Sequence, residues 1–524
     1  MNILHMIIPH IPYVAFLLLI YFITWNRSLR CGFCSDDIEG VAKFSDKFKD
    51  GVKDDKYTEG TVTYRNTQYN LSSPAHYKFW RSLRLNLGKC FTILGQNSKG
   101  HDVYGFVQDP FRHHLINFVL HGINTILTYT LLTQLFGSNL AFMATLLFIV
   151  NPVSSMSVAW VSGVGYLLSY FGIVSILNIV IYCDQIVSII PAIILHFISM
   201  VGLLAGFITP IILILLGKWI VAIPLIALSA YFLLTTGRSA VSFRRKNFRD
   251  QNVGRCTYFT IKKPIIMIKT LYYYVRMMFY PFKLGLFHEW GYKYDDKLER
   301  PDGMFWKGLL TLLAIVLSII YAPYEIKFGL IWFLAYSVLF MNAITAQQFV
   351  VDRYMFIPSL GFSIIFSYYL QNFMPAYWIL AGAYMMRTIC HLWTFDNETS
   401  FYRSNALNFP KSEIAWGNLG VAYAQAGWQG SAFDSWHMSA KINPHHCLPH
   451  YNLYNSYKVS GMYDAALDEL KKCLNAETVH FEKDWKKEYD NFKLWVDLQI
   501  PFNDYIKRIN NRIQEARYES GRIN

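Results

Sequence analysis

The stretch "NPVSSMSVAWVSGVGYLLSYFGIV" (Asn151–Val174) decides how the rest of the chain is read. Asn-Pro opens it as a turn, since the residue before a proline is steered away from helix and the proline itself suits a first helical position. The spacing predicts an apolar helix over 157–182, longer than the roughly 20 residues that cross a bilayer. Its serines and glycines would let another helix, or a lipid, approach closely.

Outward from that stretch the same character recurs. The chain has 524 residues, 53% hydrophobic and only 16% charged, which excludes an ordinary soluble domain. The run Ile7–Trp25 carries no Lys or Arg before it and no small-residue cleavage signal after it, so it is expected to be an uncleaved first span and not a removed signal peptide. A long polar region follows, 26–112, with the charged string "SDDIEGVAKFSDKFKDGVKDDKY". Further apolar segments are expected at 114–136, 138–150, 157–182, 185–203, 206–236, 264–281, 304–322, 327–344, 354–371 and 376–391. Within 206–236, Pro210, Gly217 and Pro224 predict a short half-helix followed by a spanning one.

The formal charge of +13 fits basic cytoplasmic loops and anionic headgroups, and no nucleic acid is expected as a partner. The loop 237–263, with "SFRRKNFRD", is placed inside by its Lys and Arg. That puts the 26–112 region, the loop Phe287–Gly303 and everything after Arg387 outside, in a bundle of about eleven helices. The Asn-x-Ser/Thr sites at Asn26, Asn70 and Asn397 would then face outward. Cys31 and Cys34 form the one Cys-x-x-Cys among eight cysteines; a lone pair of this kind reads as a local disulfide or two idle thiols, and no metal site is expected from it.

The C-terminal part repeats. Pro410 and Pro444, Asn418 and Asn452, Tyr423 and Tyr457, Gly427 and Gly461, and Ala432 and Ala466 are each 34 residues apart. That is the tetratricopeptide period, with glycine at the turn between paired helices and alanine where they pack. Asn418, Gly427, Ala432, Asn452, Gly461 and Ala466 are therefore expected to be structural residues of the repeats. The domains expected are a membrane part over 1–392, repeats over 393–480 and a helical cap over 481–524. Glu398–Leu407 and the cap would complete the stack, because such arrays need about three units. The fold class is all-α: a polytopic helical bundle followed by an α-solenoid.

Several strings, taken in chain order, resemble the transmembrane and tetratricopeptide-repeat O-mannosyltransferases. "HHLINFVLHGIN" (His113–Asn124) is similar to their second-helix signature, with His114, Asn117, His121 and Asn124 in place. "LLGKWIVAIPLIAL" (Leu215–Leu228) keeps Lys218 and Pro224, and "VVDRYMFIPSLGF" (Val350–Phe362) keeps their acidic-Arg-Tyr and Pro-Ser-x-Gly. "RTICHLWTFDNETSFYRSNALNFP" (Arg387–Pro410) looks like their joint into the repeats. In the opening stretch the family's apolar frame survives, but its ionisable positions hold Asn151, Ser154, Met156, Val164 and Tyr166.

The resemblance implies a GT-C membrane glycosyltransferase, moving a sugar such as mannose from a polyprenyl-phosphate donor to a protein hydroxyl on the outer face. It implies an essential carboxylate soon after the first helix, at Asp36 or Asp37, to take the acceptor's proton. A neighbouring acid could hold a divalent metal; no other cofactor is expected beyond the polyprenyl-phosphate sugar. The lipid phosphate needs cations or donors, for which Lys218, Arg353, His114 and His121 are the candidates. His288 and Glu289, among Trp290, Tyr292 and Tyr294, are a second candidate cluster for sugar or acceptor. For each, a bland reading stands beside the chemical one: a solvated acidic stretch for Asp36 and Asp37, snorkelling for Lys218, an Asp352 salt bridge for Arg353, helix packing for the histidines, an aromatic belt for the 288–294 cluster. The alternative function is an inactive membrane scaffold whose repeats bind or assemble partner proteins; a transporter is a third, weaker class, since no inverted repeat is evident. The membrane would be the endoplasmic reticulum or a bacterial inner membrane, with the repeats on the luminal or periplasmic side.

Overall fold

In a computed structural model of the chain, the described residues are 8–35, 110–202, 204–232, 234, 263–288, 300–341, 350–475, 486 and 489–496, with four short strands between 61 and 103. The described chain is built of helices. They are α1 (Ile11–Trp25), α2 (Pro110–Phe136), α3 (Ser138–Val150), α4 (Ser155–Ala159), α5 (Val164–Tyr182), α6 (Gln185–Gly202), α7 (Thr209–Leu215) and α8 (Trp219–Phe232). After these come α9 (Lys263–Phe279), α10 (Gly303–Tyr321), α11 (Tyr324–Ser337), α12 (Ser359–Leu370), α13 (Met374–Leu392) and α14 (Glu398–Asn408). The strands are confined to the 26–112 region: β1 (Thr61–Tyr64) pairs antiparallel with β2 (Thr67–Asn70), and β3 (Gly95–Gln96) with β4 (Asp102–Val103). The first pair is rich in Thr and Tyr, which favour a pleated surface, and the described chain as a whole is all-helical apart from these short strands.

Among the described residues, four helical stretches are long and apolar enough to cross a membrane: Ile11–Arg30, Pro110–Phe136, Val161–Tyr182 and Gly303–Tyr321. Ser138–Val150 and Pro152–Ala159, bent by 51°, supply a fifth if they count as one span. Four others, Gln185–Met200, Ala205–Leu215, Trp219–Phe232 and Ser359–Leu370, are apolar but shorter. The total falls short of eleven for two reasons. Helices such as α8, with 14 residues, reach only about 21 Å of a roughly 30 Å core. And α9 has 17 residues carrying Lys263, Lys269 and Arg276. The 206–236 segment divides as its sequence predicts, into α7 and α8 on either side of Gly217–Lys218. The basic loop 237–262 lies outside the described residues.

The first unit is organised around α5. It packs chiefly on α6 and α2, while α3 packs on α12 and α2, α11 on α12, and α9 on α10. The α2–α5 seam is polar. Asn124 Nδ2 donates to Leu167 O (3.0 Å), Thr128 Oγ1 meets Tyr170 Oη (2.7 Å), and Gln134 Nε2 donates to Asn178 Oδ1 (2.9 Å). In an apolar surround such bonds fix the rotation and register of two helices at about 0.6 kcal/mol each. α1 is tied at its C-terminal end: Trp25 Nε1 donates to Ile149 O (2.8 Å), and Arg27 makes a two-pronged bond to Asp396 (2.6 and 2.7 Å) while stacking on Trp393.

The chain divides into two compact units at Pro410–Lys411, later than the expected 392/393. The reason lies in α14. Instead of joining the repeats, it satisfies the backbone after α9: Asn405 Oδ1 accepts from Leu286 N (2.6 Å), and Asn408 Nδ2 donates to Leu284 O (2.9 Å). Asn397 caps this helix by accepting from Ser400 N (2.9 Å), so the third of the Asn-x-Ser/Thr sites has its amide in use.

The second unit consists of two helical hairpins, α15 (Glu413–Gln425) with α16 (Gln429–Ile442), and α17 (Cys447–Val459) with α18 (Tyr463–Leu474). Their turns are copies. Gly427 and Gly461 take φ of +82° and +75°, a left-handed backbone that favours glycine. Trp428 N and Met462 N then reach back to Tyr423 O (2.8 Å) and Tyr457 O (2.9 Å), closing each helix end. Ala432 and Ala466 are fully buried between the helices, as their spacing predicts. Phe492 and Val496, in the described part of the C-terminal region, cover the second hairpin against Tyr454, Ala466 and Leu470. The rest of the 481–524 region lies almost wholly outside the described residues.

Candidate functional site

The opening stretch is not one helix. Asn151 caps a 3-10 turn over Pro152–Ser154 by accepting from Val153 N, α4 follows, and Trp160 is extended (φ −93°, ψ 125°) before a second 3-10 turn, Val161–Gly163, leads into α5. The chain folds back so tightly that a Cβ on Gly163 would lie 2.4 Å from Ser157 O. The break frees carbonyls from the helix ladder, and Asn117 on α2 collects two of them: its Nδ2 donates to Trp160 O (2.9 Å) and Val158 O (3.2 Å). The signature asparagine is thus the clamp that holds the break open.

Trp160 is the hinge of the site. Its Nε1 donates to Cys34 O (3.0 Å), and its ring faces the Arg353 guanidinium at 4.6 Å from the centroid. Arg353, half-buried on the 3-10 turn Asp352–Met355, also donates from Nε to Tyr166 Oη (3.2 Å) and from Nη1 toward Met156 Sδ (3.6 Å). Those two residues stand at positions where the resemblance leads one to expect an aspartate and a glutamate. A guanidinium held on an aromatic face is well suited to a phosphate, because its donors form a rigid fork.

The segment Cys31–Ser35 packs against this group. Gly32 N donates to Phe395 O (2.9 Å), Gly32 O meets His114 Nε2 (3.3 Å), and the Cys31 and Cys34 thiols lie against Leu392 O and Phe395 O. Neither cysteine is in a disulfide and both are buried; burial, with the Asp396 carboxylate, pushes the Cys31 thiol up to about 12. Ser35 takes φ +55°, a left-handed backbone that costs roughly 1–2 kcal/mol for a non-glycine residue. Asp36 and Asp37 follow at once and lie outside the described residues, as does Glu289.

The other candidates are dispersed. His114 is buried with Nδ1 lacking any partner. His121 is enclosed by Tyr21, Trp25, Phe148 and Phe356, and neither ring nitrogen has a partner, which is a packing environment and gives a phosphate no approach. Lys218 sits half-exposed in the turn between α7 and α8, beside exposed Leu215 and Trp219; those helices pack on α6, and nothing joins Lys218 to Arg353. His288 is buried in a different network, with Nε2 2.8 Å from Asp352 Oδ1 and Nδ1 2.9 Å from Tyr273 Oη. Asp352 also accepts from Gly285 N. This overturns the Asp352–Arg353 salt bridge considered from sequence: neighbours on a tight turn, the two side chains serve different partners. Burial raises the Asp352 carboxyl above the usual carboxylate range against the opposing pull of His288. Asn418 and Asn452, expected as structural, are half-exposed on α15 and α17 with no side-chain hydrogen bond among the described residues. No cluster of three or more His, Cys, Asp or Glu that could hold a metal occurs among the described residues.

Sequence reasoning passed over Asp352, Tyr273 and Asn405 as functional or linking groups. Asp352 carried a signal, a lone acid beside an arginine in an apolar run; Tyr273 and Asn405 carried none. Compared with known proteins, the chain matches no family model, no curated protein and no solved structure.

Proposed function

We propose that the chain is a membrane glycosyltransferase of the GT-C class, which moves a sugar such as mannose from a polyprenyl phosphate to a protein hydroxyl on the outer or luminal face. One observation carries this reading: Arg353 rests on Trp160, and the indole of Trp160 holds the segment that leads directly into Asp36 and Asp37. A cation for the leaving phosphate and the start of a carboxylate-bearing loop therefore meet at one residue. Arg353 would hold the phosphate, the Asp36/Asp37 pair would orient the acceptor or position a metal, and the membrane lipid would deliver the donor. The two hairpins are read as tetratricopeptide repeats binding the acceptor polypeptide, with Asn418 and Asn452 offering a donor and an acceptor at equivalent positions, as a peptide group requires. The host membrane is the endoplasmic reticulum or a bacterial inner membrane.

The scaffold reading keeps one specific support: Met156 and Tyr166, which Arg353 contacts, are uncharged at positions that are charged in the resembled family. Polyprenyl-phosphate binding to the protein in lipid nanodiscs separates the two. Wild type is expected to bind, and Arg353→Ala to bind at least tenfold more weakly, the scale of a charge-assisted fork. Asp37→Asn should keep lipid binding and lose transfer from polyprenyl-phosphate mannose. Equal binding by wild type and Arg353→Ala would remove the transferase reading and leave the scaffold.

A further inference from the structure

The network on the far side of the Arg353 turn has an order of its own. Asp352 is buried and anchored by Gly285 N; His288 bridges it to Tyr273; Tyr273, on α9, is half-buried with Arg276 5.0 Å from its ring centroid. Phe409 packs on the His288 ring at 4.3 Å, tilted by 41°, and both ring nitrogens keep their partners. A carboxylate accepting from Nε2–H fixes the histidine tautomer so that Nδ1 is a base, and that base faces a phenol. A hydroxyl, a histidine oriented toward it and a buried acid behind the histidine form the general arrangement by which proteins activate an oxygen. A purely packed histidine needs neither the acid nor the hydroxyl, and His121 in the same unit has neither.

We infer that Tyr273, His288 and Asp352 form a proton relay in which Tyr273 is the group that meets a hydroxyl-bearing substrate. The identity of that substrate, the acceptor, rests on the transferase reading; the relay does not. In the step, the acceptor oxygen bonds to the anomeric carbon and gives its proton to Tyr273 Oη. The Tyr273 proton passes to His288 Nδ1, the imidazolium is stabilised by Asp352, and the sugar–phosphate bond breaks with its electron pair leaving on the phosphate. His288 and Asp352 are positioning residues here.

The test uses the full chain in nanodiscs and the probe 4-(2-aminoethyl)benzenesulfonyl fluoride, which modifies activated phenols, with sites and rates read by peptide mass spectrometry. Tyr280 and Tyr321, 63% and 81% exposed, are internal references. Tyr273 is expected to react about tenfold faster than either despite being half-buried, and His288→Gln to cut the Tyr273 rate about tenfold without changing the references. Asp352→Asn should act in the same direction. A Tyr273 rate no higher than the references, or one unchanged in His288→Gln, overturns the relay. Labelling needs no donor sugar, so its failure is separate from a failure of the transferase reading. For the substrate, Tyr273→Phe is expected to lose transfer from polyprenyl-phosphate mannose while binding polyprenyl phosphate as wild type does; wild-type transfer by Tyr273→Phe overturns the assignment to the acceptor hydroxyl.

Discussion

Helices α5 and α10 are each 19 residues long, and the spans that contain them share a mean hydropathy of 2.0. Yet 78% of the apolar window around α5 is buried inside the protein, against 11% for α10. Hydropathy reports the cost of leaving each helix in water, and both would leave it; it does not say whether the new surroundings are protein or lipid. What separates them is the distribution of small and polar residues. In α5, Ser169, Gly172, Ser175 and Asn178 face neighbouring helices and bring them close. In α10, Trp306, Leu310, Leu313, Leu317 and Ile320 stay exposed, a surface suited to acyl chains.

The comparison can be broken at several points. Leu177→Ala, at a fully buried position of α5, should destabilise the unit by about 2–5 kcal/mol through the cavity it leaves, whereas Leu310→Ala on α10 should change stability by less than about 0.5 kcal/mol. Thermal unfolding in matched nanodiscs reads both, and equal losses would mean that α10 is covered by protein. Gly163→Ala at the foot of α5 should cost about 1–3 kcal/mol, since its Cβ would meet Ser157 O, and it should also weaken polyprenyl-phosphate binding by moving Trp160. Asn117→Ala leaves two buried carbonyls unsatisfied and should cost about 1–2 kcal/mol with the same effect on binding; loss of stability without loss of binding would detach the clamp from the site. The smallest effect is expected at α10. Asp302 caps that helix and pairs with buried Lys269 at 2.9 Å. Burial alone would raise its carboxyl, but the Lys269 ammonium and the Phe305 and Met304 amides hold it below the usual range. Its contribution is therefore complete above the unfolded carboxyl value and is lost as pH falls through the lower folded value. Because Asp302 is half-exposed, the acid-side loss should stay below about 1 kcal/mol and vanish in Asp302→Asn.

Much of the fold was legible in local pattern. The 34-residue spacing located both hairpin turns to the residue, because a left-handed turn and a close helix contact each demand one residue type. The division at Gly217 was legible for the same reason. The site was legible only in pieces. Arg353 and the Asp36/Asp37 stretch stand out as charges near apolar runs, but Trp160, which joins them, reads as one more aromatic residue in a hydrophobic stretch. Lys218 and His121 read as candidates because a polar group among apolar neighbours is costly; one turned out to sit in an exposed turn and the other in an aromatic enclosure. That α14 belongs with the first unit was not legible, because its buried face of Phe401, Tyr402 and Ala406 would suit a repeat helix equally well, and its Asn405 and Asn408 act through amides on distant backbone.

The amino-acid sequence by itself determined that this protein is helical, with several apolar stretches long enough to cross a membrane and a repeated hairpin toward its C-terminal end. Length, apolarity and turn chemistry are properties of neighbouring residues, so no partner is needed to read them. The tertiary structure alone decided which apolar helix is wrapped in protein, that the signature asparagine holds a broken helix, and that Asp352 serves His288 while Arg353 rests on Trp160. Those outcomes depend on which carbonyls a helix break leaves unsatisfied and which side chains, far away in sequence, are in reach to satisfy them.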